Sequence, residues 1–414
     1  MPGLLRNVAP LIAALAILQL AGGLLGVRLP LAVSTDGLSN TSLGLIAASY
    51  SAGFMMGATI CTALLARVGH IRVYAACAAI FAATTLALHF THSVWAWGLA
   101  RMIAGLVVAL MFATIESWLA SAISKSVRGE VLSVYMVVTK AALAIGPYLA
   151  FSYEPRAPEP WMIAAAIAAL SMVPVCFTSA EEPAAPKAQP LALVEQFATA
   201  PAAVIASFGA GLVNAGVLTL APLYASQHYG PGAATEFYSA AWIGSLLLQW
   251  PAGKLSDRVD RRMVIAMLTG GAAAAAFALA VLSGAAPKGV AIFIFFLWGA
   301  CGLSFYGLAV AHMADRAEPH KLAQSAAGLL FVWAAGSILG PIIQGPIVDL
   351  LGIEGVFWFA GVAALLVTIA MFWRRTTRAS APAATKAEVA PQLAGSVAAG
   401  EIAYGEDDET RLRP

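Results

Sequence analysis

Long apolar runs recur along almost the whole of this 414-residue chain, each long enough to cross a ~30 Å hydrocarbon core as a helix. Charged residues make up 11% of it and hydrophobic ones 60%, where a soluble globular chain carries roughly 25% charged, so lipid rather than water is its main solvent. In lipid every backbone N–H and C=O must be bonded internally, which leaves helices or closed barrels. The alternating strands of a barrel are missing, and the expected fold class is an all-α integral membrane protein.

Several other classes fall away on composition. A net charge of +2 gives no basis for nucleic-acid binding. Cys61, Cys77, Cys176 and Cys301 all lie inside apolar runs with no close pairs, and read as small packing residues, not as disulfides or zinc ligands. No nucleophile–base set, phosphate loop or metal-ligand spacing occurs, so neither enzyme chemistry nor a cofactor nor a metal is expected. The first apolar run continues past Ala21 to Val33, too long for a signal-peptide core, and reads as the first membrane helix.

Twelve spans are expected: 9–33, 42–66, 72–91, 95–123, 131–152, 160–178, 200–227, 236–256, 262–284, 289–314, 322–350 and 354–373. The organisation that follows is a six-helix bundle over 1–178, a cytoplasmic linker over 179–198, a second six-helix bundle over 199–374 and a disordered cytoplasmic tail over 375–414. Orientation comes from alternate connections. One set, with both termini, holds Arg6, Arg67, Arg72, Lys125, Arg128, Lys187, Lys254, Arg258, Arg261, Arg262, Arg316, Lys321, Arg374, Arg375 and Arg378, while the other holds only Arg156 and Lys288. Both termini are therefore expected in the cytoplasm, with the chain multi-pass in its membrane.

The second half repeats the first. ARVGHIR follows span 2 and SDRVDRR follows span 8, while Gly146-Pro147 in span 5 matches Gly340-Pro341 in span 11. The offsets are 191 residues (Arg67 to Arg258) and 194 (Gly146 to Gly340), so there is little slippage. Two parallel six-helix repeats joined by a linker describe one kind of transporter architecture, in which the halves rock about a midplane site.

The run from Gly253 to Arg262, with Asp257, Arg258, Arg261 and Arg262 in register, resembles the loop signature G-x-x-x-D-R-x-G-R-R of the major facilitator superfamily (MFS). Asp260 stands where Gly is usual. The first-half copy keeps Arg67, Gly69 and Arg72 but has Ala66 where Asp is expected. Arg101-x-x-x-Gly105 resembles the superfamily's span-4 signature, and Gly336-x-x-x-Gly340-Pro341 its antiporter-type motif, of which Gly146-Pro147 keeps the end. ESW at 116–118, RGEVLSVYM at 128–136 and QWPAGKLSD at 249–257 resemble the YcaD-like branch of bacterial permeases. The resemblance implies the MFS fold, a monomer, and a secondary active transporter with a small-molecule substrate, proton antiport and efflux. It also implies that spans 1, 4, 7 and 10 line the cavity. The loop charges, with Asp257 placed to pair with nearby arginines, are expected to form a cytoplasmic latch.

Ionisable groups at membrane depth cost ~2.5–3.5 kcal/mol even on mild scales and mark function by default. Four stand out: Arg28, Arg101, Glu116 and Lys140. Fifteen residues at 100° each leave Arg101 and Glu116 within ~60° on one helix face. If spans 4 and 5 form a hairpin turning near Ser126, Glu116 and Lys140 differ in height by only ~6 Å, which leads to an expected ion pair, structural or titrating. Arg101 would tune the proton affinity of a neighbouring carboxylate. Arg28 and Arg101 at similar depth would alternatively suit an organic-anion permease. Gln19, Arg28, Asn214, Trp298 and Tyr306 are the expected cavity residues, with Gln249 as packing and His312 exposed near the cytoplasmic end. A non-transporting sensor or scaffold is the rival from another class.

Overall fold

The computed structural model describes residues 2–123, 128–178, 182–183, 193–318 and 321–377. Lys125, Lys187, Arg378 and most of the expected linker and tail lie outside the described residues. The described chain is helical throughout: α1 Pro2–Thr35, α2 Asn40–Val68, α3 His70–Ala87, α4 Val94–Ala122, α5 Arg128–Ile145, α6 Pro158–Leu170, α7 Met172–Cys176, α8 Leu193–Thr199, α9 Pro201–Tyr229, α10 Pro231–Arg258, α11 Arg261–Leu282, α12 Lys288–Gly302, α13 Phe305–Ala314, α14 Leu322–Leu351 and α15 Gly355–Thr377. Helices α6 and α7 together make one span, as do α12 and α13, the latter broken at Leu303-Ser304.

Among the described residues eleven segments are long and apolar enough to cross a membrane. Helix α10, with 28 residues, is long enough but more polar. The reason lies in where its polar groups point. Ser239 Oγ donates to Ala144 O at 2.6 Å, and Ser245 and Gln249 face Lys140, so these groups are satisfied by α5 and not offered to lipid. The expected twelve helices thus consist of these eleven and α10.

Packing repeats between the halves. Helix α1 packs on α5 and α6, α2 on α4, and α3 on α4 and α6; correspondingly α9 packs on α14 and α15, α10 on α12, and α11 on α12 and α15. Small residues sit at the crossings because backbone meets backbone there. A Cβ on Gly105 would lie 2.0 Å from Tyr50 O, and one on Gly299, 194 residues later, 2.3 Å from Ala241 O. Gly146 and Gly340 approach Leu20 O and Leu212 O equally closely, with Pro147 and Pro341 next in each chain, and Gly336 approaches Phe208 O. Of the cysteines, Cys61 and Cys77 are buried and Cys301 is half-buried, as packing residues would be, but Cys176 at the end of α7 is exposed.

The halves meet through α2 with α14, α5 with α10, and α1 with α9. At the end of the bundle away from the termini, Asp349 of α14 caps the start of α2. Its carboxylate accepts from the Asn40 amide and Nδ2 at 2.9 Å each, and from the Thr41 amide and Oγ1 at 2.9 and 2.6 Å. One half's carboxylate thereby satisfies the other half's orphan helix donors.

Gly105→Val places its new atom against the Tyr50 carbonyl, which cannot rotate away. We expect a loss of about 1–3 kcal/mol, read as a lower thermal unfolding midpoint of the detergent-solubilised protein. An unchanged midpoint would contradict the close-crossing account.

Candidate functional site

A cavity of about 400 Å³ lies between the halves, lined from α1, α2, α3, α4, α5, α9, α10, α13 and α14. Arg101 reaches it from α4, two turns in from Val94. Its guanidinium lies over the Tyr50 ring at 4.1 Å, while its Nε is buried without a hydrogen-bond partner. Lys140 reaches the cavity from α5, and its ammonium donates across the halves to Ser245 Oγ at 2.6 Å and to Gln249 Oε1. Gln19, Asn214 and Tyr306 also line the cavity. Asn214 Nδ2 donates to Gly302 O at 2.7 Å, and its Oδ1 is left unpartnered.

Three expectations need correction. Lys140 is not paired with Glu116. The hairpin estimate assumed that α4 and α5 pack along their length, whereas α4 packs mainly on α2 and α3, and α5 on α1 and α10. Glu116 is fully buried, absent from the cavity wall, and accepts from Tyr135 Oη at 3.1 Å; Tyr135 is the residue that lines the cavity. Arg28 turns away from the cavity and donates from Nη1 to Tyr153 O at 2.5 Å, fastening α1 to the connection before α6. Trp298 is fully buried and stacks on Phe295, ring centroids 5.1 Å apart, so it is core. The aromatic wall is instead Trp333, edge-on to Phe54 at 6.2 Å and 6.1 Å from Tyr306, together with Tyr50, Tyr238 and Trp242. These aromatics are unremarkable in sequence, since aromatic residues inside spans usually pack.

At the terminus-bearing end, the second-half loop forms a charge cluster. Asp260, the departure from the family signature, caps α11 by accepting from the Arg262 amide at 3.0 Å, and pairs with Arg262 Nη2 at 2.7 Å. Buried Arg261 pairs with Asp315 at 2.7 Å and Asp257 at 3.0 Å, and Arg262 donates to Arg374 O at 2.7 Å. Gly253 is buried, and Arg258 is exposed. All these partners belong to the second half. His312 is buried beside this cluster at 5% exposure, contrary to the expected solvent exposure.

The first-half loop is built differently. Arg67 and Arg72 are exposed. Gly69 ends α2 at φ +89°, where a side chain would be strained. The anchoring residue is His70, whose Nε2 bonds Ser117 Oγ at 3.0 Å and whose Nδ1 lies 3.3 Å from Glu182 Oε1.

A helical membrane protein made of two pseudo-symmetric halves around a solute-sized cavity has the architecture of a membrane transporter. The sequence model of the Major Facilitator Superfamily matches residues 11–334, and the chain belongs to that superfamily; it is a transporter and not an enzyme. The uncharacterized MFS-type transporter YcaD of Escherichia coli O45:K1 is 27% identical over 341 residues, which cover 81% of this chain and 87% of that one. Among solved structures, the nucleoside transporter NupG (D323A mutant) matches with a TM-score of 0.77 at 16% identity, covering 89% of this chain and 99% of that one. The human organic anion transporter MFSD10 matches with a TM-score of 0.65 at 15% identity, covering 90% and 100%. At such identities these two share the fold.

Two outcomes follow from the loop cluster. Asp315→Ala strips the buried Arg261 of its closest partner and should cost about 3 kcal/mol or more, whereas Asp257→Ala, at a half-exposed partner, should cost less; equal shifts in unfolding midpoint would contradict this. Burial pushes the Asp260 carboxyl up, but hydrogen bonds and charge from Arg262 outweigh it and hold the group below the usual carboxylate range. A depressed carboxylate contributes stability above its unfolded pKa of ~3.9 and loses it as pH falls through the folded value. Asp260→Asn should therefore flatten the loss of stability below about pH 4, measured as unfolding midpoint against pH.

Proposed function

We propose that this chain is a proton-coupled secondary transporter that moves a small organic solute by alternating access of its two six-helix halves. The observation that carries the proton coupling is Glu116: a fully buried carboxylate that accepts from Tyr135, which forms part of the cavity wall. An ionised carboxylate without water is costly, so conformations that change its surroundings change its proton occupancy. Tyr135 is the group through which a proton or a solute in the cavity reaches it. Arg101, in the same helix, tunes that site from the cavity side.

With the termini cytoplasmic in a bacterial inner membrane, the Asp349 ties lie at the outer end, where they join the two halves. Transport then requires those ties to part. The protein acts as a monomer, and the antiporter-type Gly336-x-x-x-Gly340-Pro341 motif favours efflux. The clusters of Arg261 and Arg262 at the cytoplasmic end act as a latch that fixes the second half as one body during rocking.

Reconstitution in proteoliposomes tests this reading. Under an imposed pH gradient, wild type should exchange protons for at least one solute of a broad panel, and Glu116→Gln should lose the gradient dependence while staying folded. Gradient-driven flux at the wild-type level in Glu116→Gln would remove Glu116 from coupling. No flux of any solute by folded wild type would favour a sensor or scaffold.

A further inference from the structure

From the charges of the cavity we infer that its substrate is an organic anion with a flat apolar body, an inference that rests on the transport reading above. Two cations, Arg101 and Lys140, enter the wall, and among the described residues that line it there is no Asp or Glu. The one buried carboxylate nearby, Glu116, stands behind Tyr135 and outside the wall.

Neither cation is neutralised by an acid across the cavity. Lys140 is held by neutral oxygens of Ser245 and Gln249, which orient an ammonium without cancelling its charge. Arg101 rests on the Tyr50 ring and keeps Nε without a partner. A cation in a low-dielectric wall that is solvated only by dipoles and a π-face gains most from an anionic ligand. A cationic solute would face two like charges at close range.

The rest of the wall describes the ligand's body. Tyr50, Phe54, Tyr238, Trp242, Tyr306 and Trp333 surround the space with ring faces and edges. Asn214, whose Oδ1 has no hydrogen-bond partner, lines the same space and supplies a polar group beside the aromatic wall. The shape and chemistry thus call for an aromatic carboxylate, sulfonate or phosphate.

The test uses three isosteric probes on the full-length protein in lipid nanodiscs: naphthalene-1-carboxylate, naphthalene-1-carboxamide and naphthalen-1-ylmethylammonium. By isothermal titration the carboxylate should bind at least tenfold more tightly than the amide, and the ammonium should bind weakest. Arg101→Gln and Lys140→Met should each reduce the carboxylate's advantage about tenfold, and Arg101→Lys should restore part of it. Variants are compared only after their ligand-free unfolding midpoints show a folded protein, and Lys140→Arg supplies a charge-preserving control if Lys140→Met does not fold. Equal or tighter binding of the amide or ammonium would overturn the inference, as would binding of none of the three at millimolar concentration. Measured in proteoliposomes alongside binding, flux separates the two claims. Selective anion binding without flux supports the anion site and counts against transport, whereas flux without anion preference supports transport and overturns the anion site.

Discussion

An ionised side chain placed between membrane helices must find its solvation in protein, and in this structure Lys140 finds it on the opposite half. Its ammonium, on α5, is held by Ser245 and Gln249 of α10. That requirement accounts for two of the polar residues, Ser245 and Gln249, on the face that α10 turns towards α5. A rigid-body rocking of one half against the other changes the distance between α5 and α10, so any such motion acts directly on the partners of this charge. The Asp349 cap on α2 works by the same rule at the far end: donors that α2 cannot satisfy for itself are satisfied from α14.

The repeat is even in scaffold and uneven in chemistry. Gly105 and Gly299, or Gly146 and Gly340, perform one packing task twice. At the same 194-residue offset, however, Arg101 corresponds to Phe295, Glu116 to Val310 and Lys140 to Ala334. The first half therefore brings the charges and the second brings the dipoles that hold one of them. The loops diverge in the opposite sense. Arg261, always charged and buried between two aspartates, stands in the second half where His70 stands in the first. Asp260, at the place of a family glycine, exchanges backbone freedom for a helix cap and an ion pair.

Much of this was legible in the sequence because lipid makes helix number and order depend on composition. Apolar runs located the helices, and paired Gly-Pro motifs exposed the repeat before any geometry was available. The azimuth of each helix was not legible. Height along a helix follows from counting residues, but which neighbour a side chain meets depends on packing between segments far apart in sequence. Hence Glu116 and Lys140 face different partners, and Arg28 turns to Tyr153. Gln19, Asn214 and Tyr306 were found because polar groups in cavity-lining spans have few other places to point, whereas Tyr135 and Trp333 look like ordinary packing aromatics. The link from His70 to Glu182 lay out of reach because it joins a helix start to a segment with no periodicity.

The central claim is that the basic groups Arg101 and Lys140 on the first half, with no acid among the described residues of the wall, define what the cavity receives. The most direct measurement is an experimental structure, by electron cryomicroscopy, of the full chain with naphthalene-1-carboxylate bound. The account requires the carboxylate oxygens within hydrogen-bond distance of the Arg101 guanidinium or the Lys140 ammonium, with the rings against the Tyr50, Phe54 and Trp333 side of the wall. A carboxylate turned away from both cations, with the cations bonded as they are here, would contradict it.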